Sequence, residues 1–258
     1  MSGLAAQVGW VARRSIRRSL RQPAIVMPAI VFPLVLLAVN SGGLEAATKL
    51  PGFPTTSYLD FAIAVCFLQG ALFATTTSGT ELAHDIETGF LSRLSLTPLR
   101  PVAVLVGQVA GAVTIGVIGS TLYLVVGLIA GVRIEAGPGG VVVLAALILL
   151  ICVGFAGIGA FMGLRTGSGE AVQGVFPLMF VLFFLSSINL PRDLIEVDWF
   201  RTIATWNPIS YLVEALRSLI ITGWDGTALW RGFAVAAAFV VIGFAAARSA
   251  LLARMERT

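Results

Sequence analysis

The sequence predicts an all-α membrane protein that crosses the bilayer several times. Apolar side chains make up 57% of its 258 residues and charged side chains only 12%, about half the share of charge in a soluble domain. Six apolar stretches are long enough for a hydrocarbon layer of about 30 Å, which takes about 20 helical residues. They lie near residues 24–40, 58–80, 102–131, 139–164, 171–190 and 229–252. We therefore expect a single transmembrane domain over residues 1–258, with helices 1–5 within 24–190 and helix 6 at 229–252.

Residues 1–22 precede the first span and are expected to form an amphipathic helix along the membrane surface. At about 100° per residue, positions 4–20 place arginines on one side of a helix and apolar residues on the other. The arginines are Arg13, Arg14, Arg17, Arg18 and Arg21, and the apolar residues are Leu4, Val8, Val11, Ile16 and Leu20. Two alternatives stay open, a disordered basic tail and a secretory signal peptide over residues 1–40.

The distribution of basic residues predicts that both termini face the cytoplasm. Basic residues accumulate on the cytoplasmic side of membrane proteins. With a cytoplasmic amino terminus, six spans place eleven arginines inside: Arg13, Arg14, Arg17, Arg18, Arg21, Arg93, Arg100, Arg165, Arg248, Arg254 and Arg257. The outside then holds Lys49, Arg133, Arg192, Arg201, Arg217 and Arg231. The same placement at segment ends argues against nucleic-acid binding, which needs a continuous basic face.

The middle of every predicted span is free of ionisable residues. Asp60, Glu81, Asp85, Glu170 and Arg248 lie at span ends. Ion-coupled carriers and voltage sensors need charged groups within the membrane. A secondary carrier is therefore disfavoured, whereas a membrane scaffold without transport activity stays open.

The small number of lysine, histidine and cysteine residues excludes several classes of catalytic and metal-binding site. The only lysine, Lys49, follows Ala-Ala-Thr, so the chain has no G-x-x-x-x-G-K-[ST] phosphate loop and cannot be its own P-loop ATPase. His84 is the only histidine, and Cys66 and Cys152 lie in apolar runs, so a His/Cys zinc cage is not expected. We expect no catalytic residues, no metal site and no cofactor bound by this chain.

Neutral polar and small residues within the spans are interpreted as contacts between helices. Small residues let helix backbones approach closely, and neutral polar side chains form hydrogen bonds between helices. The glycines in question are Gly107, Gly111, Gly116, Gly119, Gly154, Gly157 and Gly163.

A first polar island, residues 81–101, falls on the predicted cytoplasmic side. It contains an apolar face of Phe90, Leu91, Leu94 and Leu96 that stops at Pro98. Exposed apolar residues on a loop need a cover. That cover is either the membrane interface or a soluble partner protein, and the residues alone do not separate the two.

A second polar island, residues 191–228, falls on the predicted external side. It is too apolar for a free loop and too interrupted for two spans, which predicts two half-helices that dip into the outer leaflet and return. Glu214 and Arg217 lie three residues apart on the second half-helix, where a mutual ion pair is expected.

Two motifs in these islands resemble type-2 ATP-binding-cassette (ABC) export permeases, with the drug and antibiotic exporters as the nearest branch. One is Glu87-Thr-Gly89 followed by Leu94 and Thr97-Pro98-Leu-Arg100-Pro101. The other is Trp206-Asn207-Pro208-Ile-Ser-Tyr211-Leu-Val-Glu214-Ala-Leu-Arg217. Length, order of elements and charge layout agree with the same family over the whole chain.

The resemblance implies a permease subunit in a bacterial cell membrane. It implies a second permease chain, identical or homologous, and separate ATPase subunits that bind ATP and Mg²⁺. Residues 1–22 would be a connecting helix, residues 85–97 a coupling helix seated in the ATPase, and residues 191–228 an external re-entrant hairpin. The coupling residues implied are Asp85, Glu87, Gly89, Leu91, Leu94, Pro98 and Arg100, and the hairpin residues are Asn207, Pro208, Tyr211, Glu214 and Arg217.

The resemblance also implies an exported cargo. An uncharged interior with aromatic residues suits a drug-like, antibiotic or lipid-like amphipathic molecule. Candidate wall residues are Phe73, Tyr123, Phe176 and Phe180, for which packing against lipid or protein is the competing interpretation. A polysaccharide or glycolipid exporter is the alternative within the family.

Overall fold

The computed structural model describes residues 3–95 and 100–255, and within these ranges the chain is helical, without β-strands. The α-helices are α1 Leu4–Leu20, α2 Pro23–Gly43, α3 Tyr58–Glu87, α4 Phe90–Ser95, α5 Pro101–Ile129, α6 Gly137–Thr166, α7 Gly169–Phe184, α8 Asp198–Trp206, α9 Pro208–Arg217 and α10 Gly226–Met255. Short 3₁₀ turns occupy Glu45–Lys49 and Arg192–Leu194, and a π-helical turn, Ser218–Thr222, follows α9.

In the described ranges five helices are long and apolar enough to cross a membrane: α2, α3, α5, α6 and α10. The chain is therefore a multi-pass helical membrane protein. The expected span at 171–190 is α7, which has only 16 residues and ends at Phe184. At about 1.5 Å per residue it is about 24 Å long, less than a hydrocarbon layer of about 30 Å. Six complete spans are thus a prediction that these helix lengths do not confirm.

Helix α3 is the centre of the bundle, and α6 packs against it without intervening side chains. A Cβ atom built on Gly159 would lie 1.9 Å from the carbonyl oxygen of Thr75, and one on Gly163 would lie 2.2 Å from that of Gly79. On its other side α6 meets α10, where Gly154 and Gly157 contact Phe239 and Phe244. The interpretation of Gly154, Gly157 and Gly163 as helix contacts is confirmed, because a side chain would collide at each of these positions.

Helix α1 forms at the predicted residues and packs against α5 through a narrow stripe of small side chains. Val11, Ser15 and Ser19 are buried at four-residue spacing. They face Gly107 and Gly111, where a Cβ would lie 2.5 Å from the Val11 Cβ and 2.2 Å from the Ser19 Oγ. A disordered tail is therefore the wrong interpretation, and these contacts make α1 part of the folded bundle.

Replacing Gly159 by alanine should lower stability even though alanine favours helix formation. The new methyl group would meet the backbone oxygen of Thr75, which cannot rotate away, and overpacking costs about 1–3 kcal/mol. We expect a lower thermal transition of the purified protein in lipid nanodiscs for Gly159→Ala. Gly174→Ala is the matched control, because a Cβ on Gly174 has no neighbour within 4 Å. Equal transitions for the two variants would contradict the packing.

Candidate functional site

The carboxylate of Asp85, near the end of α3, joins α3 to α1 and α5. Asp85 is 1% exposed. Its two oxygens accept hydrogen bonds from Arg14 at 3.1 Å each, from Arg18 at 2.6 Å and from the Gln108 amide at 2.5 Å. A carboxylate buried to this degree needs such partners, because charge–charge pairing and hydrogen bonds replace its lost hydration.

A second set of hydrogen bonds lies beside Asp85 and joins the same three helices. Ser19 donates to the buried Glu81 carboxylate at 2.5 Å, and Ser15 donates to the carbonyl oxygen of Gln108 at 2.6 Å. The serines that let α1 approach Gly111 therefore also supply its hydrogen bonds. Through these contacts the ends of α1, α3 and α5 form one polar cluster, which we call the Asp85 cluster.

Helix α1 also contacts both ends of the α3–α5 connection, residues 88–100. At its start, the Arg14 guanidinium lies 3.7 Å from the centre of the Phe90 ring, a favourable cation–π geometry. At its end, the backbone amide of Arg100 donates to the Gln7 side chain at 3.2 Å. Any displacement of this connection would therefore act on α1 directly.

The helix within the α3–α5 connection begins later than expected. Residues 85–87 belong to α3, and the chain turns at Thr88 and Gly89 before α4 begins at Phe90. Gly89 has a φ of +67°, a left-handed conformation that favours glycine and ends helices. The prediction of one helix over 85–97 is wrong at its start for this reason, and Pro98 lies outside the described residues.

The surface of this connection differs from the predicted apolar face. Leu91 is buried and Leu94 is half-buried against the chain's own core, while Leu96 lies outside the described residues. Asp85, placed among the coupling residues by resemblance, is too buried to touch a partner protein. Among the described residues at the end of α3 and in the connection, the exposed side chains are polar instead: His84, Glu87, Thr88, Arg93 and Arg100.

At the opposite end of the bundle, Glu214 pairs with Arg192 rather than with Arg217. The Arg192 guanidinium donates to the Glu214 carboxylate, which also accepts from the Ser187 hydroxyl at 2.9 Å. Burial lowers the pKa of Arg192, but Glu214 and Tyr211 together raise it more than burial lowers it, so the net pKa is raised. The predicted Glu214–Arg217 pair is therefore wrong, because a partner 22 residues away in the chain takes Glu214.

Arg217 is buried and binds backbone oxygens. It donates to the carbonyls of Phe61 at 3.0 Å, of Ser187 at 2.5 Å and of Ile188, and its guanidinium lies 3.3 Å from the centre of the Phe61 ring. Carbonyl groups in the irregular segment after α7 would otherwise lack partners. The planar guanidinium supplies several donors at fixed angles, so it closes the end of α7 against α3.

The remaining predicted hairpin residues hold the α8–α9 corner. The Asn207 side chain accepts from the Ile209 amide at 2.9 Å and donates to the Leu182 carbonyl at 2.7 Å. Pro208 is the first residue of α9, a position that favours proline. The Tyr211 hydroxyl donates to the Thr205 carbonyl at 2.8 Å, and Arg192 lies over its ring. All five predicted residues thus lie together, in structural roles.

Three of the four candidate wall residues come together in an aromatic cluster. Phe73 and Phe176 have ring centroids 5.7 Å apart, and those of Phe176 and Phe180 lie 5.6 Å apart. Phe32 on α2, which sequence reasoning missed, contacts Phe73 and Phe180 at 6.0 and 5.8 Å. Tyr123 is elsewhere: it has no exposed surface and donates its hydroxyl to the Ala29 carbonyl. Residue type alone does not distinguish an aromatic side chain that packs inside the protein from one that lines a route for cargo.

Metal binding has no support in the described part of the chain, where no three His, Cys, Asp or Glu side chains come together. The Asp85 cluster contains two carboxylates, but both are occupied by side chains of the protein. These side chains join α1, α3 and α5.

Comparison with known proteins gives one consistent result. The family model described as "ABC-2 type transporter" matches residues 6–221, which include α1, the α3–α5 connection and the α8–α9 hairpin. The chain is 28% identical over 199 residues to the daunorubicin resistance ABC transporter permease protein DrrB1 of Streptomyces coeruleorubidus, covering 76% of this chain and 67% of that protein. It is 25% identical over 209 residues to the putative transport permease ycf38 of Porphyra purpurea, covering 80% and 72% of the two chains.

The Asp85 cluster predicts that Asp85→Asn will release α1. The amide keeps the size of the side chain but leaves Arg14 and Arg18 without a counter-charge. Loss of these charge-assisted hydrogen bonds lowers the free energy needed to open α1 locally. We therefore expect roughly tenfold faster hydrogen exchange of α1 amides. Asp198→Asn, which removes an exposed carboxylate, should leave α1 unchanged. Unaltered protection of α1 in Asp85→Asn would refute the role of the cluster.

The contacts of Arg217 predict that lysine cannot replace it. A lysine ammonium has no planar fork, so at least one carbonyl among Phe61, Ser187 and Ile188 would lose its donor. Hydrogen exchange of residues 185–190 should therefore be faster in Arg217→Lys, while the same substitution at the exposed Arg231 should have no effect there. Identical exchange in both variants would show that the guanidinium geometry is unimportant.

Proposed function

Because the chain belongs to the ABC-2 type transporter family, we propose that it is the permease subunit of an ATP-driven exporter. The chain has no phosphate loop of its own, so ATP and Mg²⁺ are bound, and ATP is hydrolysed, by separate ATPase subunits. A relative named as a drug resistance permease and others named as transport permeases support this assignment.

The observation that carries the proposal is the attachment of α1 to both ends of the α3–α5 connection through Arg14 and Gln7. An ATPase that moves this connection moves α1 with it, and the Asp85 cluster passes the displacement to α3 and α5. ATP shifts the permease between two conformations because the ATPase subunits bind it with different affinity in each. In this role α4 and its flanking turn act as the coupling element, and α1 as the connecting helix.

The exposed charges at the end of α3 and on the α3–α5 connection are the proposed contact with the ATPase. Glu87 and Arg93 carry opposite charges on the exposed surface, beside the polar His84 and Thr88. Complementary charges favour correct docking and disfavour wrong partners. The apolar residues Leu91 and Leu94 contribute by fixing α4 to the core, and not as the docking surface itself.

The proposed topology has six crossings with both termini in the cytoplasm of a bacterium. Helix α7 and the turn after it form the fifth crossing, and α8 and α9 form a hairpin within the outer leaflet. Arg217 donates to the Ser187 carbonyl after α7, and Asn207 donates to the Leu182 carbonyl in the last turn of α7, so these groups have the protein donors that backbone at membrane depth requires. Exposed Trp199 and Trp206 on α8 suit a location at the membrane interface.

The aromatic cluster of α2, α3 and α7 marks the proposed cargo route. Apolar side chains on α2 and α7 remain exposed, such as Val35 at 52% and Leu178 at 65%. A second permease chain facing this surface would enclose the route between two copies. The neutral, aromatic lining suits a drug-like, antibiotic or lipid-like amphipathic molecule, and the name of the daunorubicin resistance relative supports that class.

Charge reversal on the exposed connection tests the proposal. The chain is co-expressed with an ABC ATPase from the same organism, and both the co-purified ATPase and ATP hydrolysis are measured. Reversing an interfacial charge disfavours docking strongly, so Glu87→Arg and Arg93→Glu should each reduce the retained ATPase by roughly tenfold. Glu196→Arg, an exposed charge at the other end of the bundle, is the control. Full retention in all three variants, or no ATPase with the unaltered chain, would contradict the assignment.

A further inference from the structure

A pocket of about 320 Å³ lies between α2, α3 and α7, in the half of the bundle that carries α1 and α4. Ala24, Ile25 and Pro28 of the first turns of α2 form one wall, and Gln173 and Phe176 of α7 form the other. Phe73, Thr76, Thr77 and Thr80 of α3 form the floor. Its volume is at the small end of the roughly 300–1,000 Å³ of small-molecule sites.

The pocket offers hydrogen-bonding groups without charge. Thr77 is 2% exposed, and its hydroxyl has no hydrogen-bond partner among the described residues. The hydroxyls of Thr76 and Thr80 donate to backbone carbonyls of their own helix at 3.0 and 2.8 Å, which leaves their oxygens able to accept. None of the described residues that line the pocket is ionisable.

Aromatic rings border the pocket toward the opposite end of the bundle. Phe73 and Phe176 line it and lie 5.7 Å apart, and Phe32 connects Phe73 with Phe180 beyond them. A molecule in the pocket would therefore meet threonine hydroxyls on one side and ring surfaces on the other. This is the arrangement that an amphipathic molecule matches.

We propose that this pocket is the loading site of the transporter and binds a neutral hydrogen-bonding group, an alcohol or amide, attached to an aromatic or aliphatic body. The inference rests on the proposed export function and names the class of cargo. The Thr77 hydroxyl gains a partner when the site is filled, and the body of the cargo packs against Phe73 and Phe176. Charged groups are excluded, because an ion buried without a counter-charge costs more than a hydrogen bond returns. Phospholipid phosphates fall under this exclusion.

Three pyrene derivatives test the site with the full chain in lipid nanodiscs. They are 1-pyrenemethanol, 1-methylpyrene and 1-pyrenecarboxylate, which share a ring system and differ in a neutral alcohol, a methyl group and an anion. Binding is measured from pyrene fluorescence in excess of that with empty nanodiscs. We expect saturable binding, with the alcohol about fivefold tighter than the methyl compound, the ratio that one hydrogen bond supplies, and the anion weakest.

Variants of α3 identify the group responsible. Thr77→Val keeps the shape but removes the hydroxyl, and should abolish the preference for the alcohol, whereas Thr77→Ser should retain it. Thr75→Val is the control, because Thr75 is buried on the same helix, bonds within it and does not line the pocket.

Two groups of results would overturn the proposal. One is equal binding of the alcohol and the methyl compound, or tighter binding of the anion, by the unaltered chain. The other is an unchanged preference in Thr77→Val. No ATPase is present in this experiment, so its failure is distinguishable from a failure of ATPase association, which would refute the exporter assignment instead.

Discussion

A buried carboxylate that must be neutralised organises the end of the bundle at which α1 lies. Asp85 has almost no contact with solvent, and its charge is balanced by arginines from α1. Because an unpaired ion at such a position is strongly destabilising, α1 is bound to α3 for electrostatic reasons. Gly107 and Gly111 then allow α1 to approach α5 closely enough for Ser15 and Ser19 to form their hydrogen bonds. The three helices α1, α3 and α5 are thereby joined at this end of the bundle.

At the opposite end of the bundle, a buried arginine, Arg217, provides hydrogen-bond donors to backbone carbonyls. The chain leaves helical geometry after Phe184, and its carbonyls need donors that lipid cannot supply. Arg217 provides them for Ser187 and Ile188, and Asn207 donates to the Leu182 carbonyl in the last turn of α7, so the hairpin is held to the end of α7. Charged side chains are thus concentrated at the two ends, while neutral threonines and aromatic rings of α3 and α7 lie between them. That division suits a permease whose driving energy comes from another subunit.

Much of the fold could be predicted from the sequence, because hydropathy indicates which segments cross the membrane and the amphipathic spacing of residues 4–20 indicates the helix α1. Glycine positions likewise indicated close helix contacts. Predictions failed where distant residues decide the outcome. The end of α7 depends on Arg217, and the partner of Glu214 is Arg192 rather than its helical neighbour. Leu91 is covered by the chain's own core, and Tyr123 donates a hydrogen bond to a carbonyl of α2. Neither contact can be inferred from residue type or local spacing.

The measurement that tests the central claim most directly is the amount of probe transported per ATP hydrolysed. It compares Asp85→Asn with the unaltered permease, each reconstituted with the ATPase in proteoliposomes. If the Asp85 cluster transmits the movement of the α3–α5 connection, ATP hydrolysis continues in the variant while transport per ATP falls sharply. An unchanged ratio, with α1 released from the bundle, would show that the movement reaches α3 and α5 without the cluster and would contradict the account.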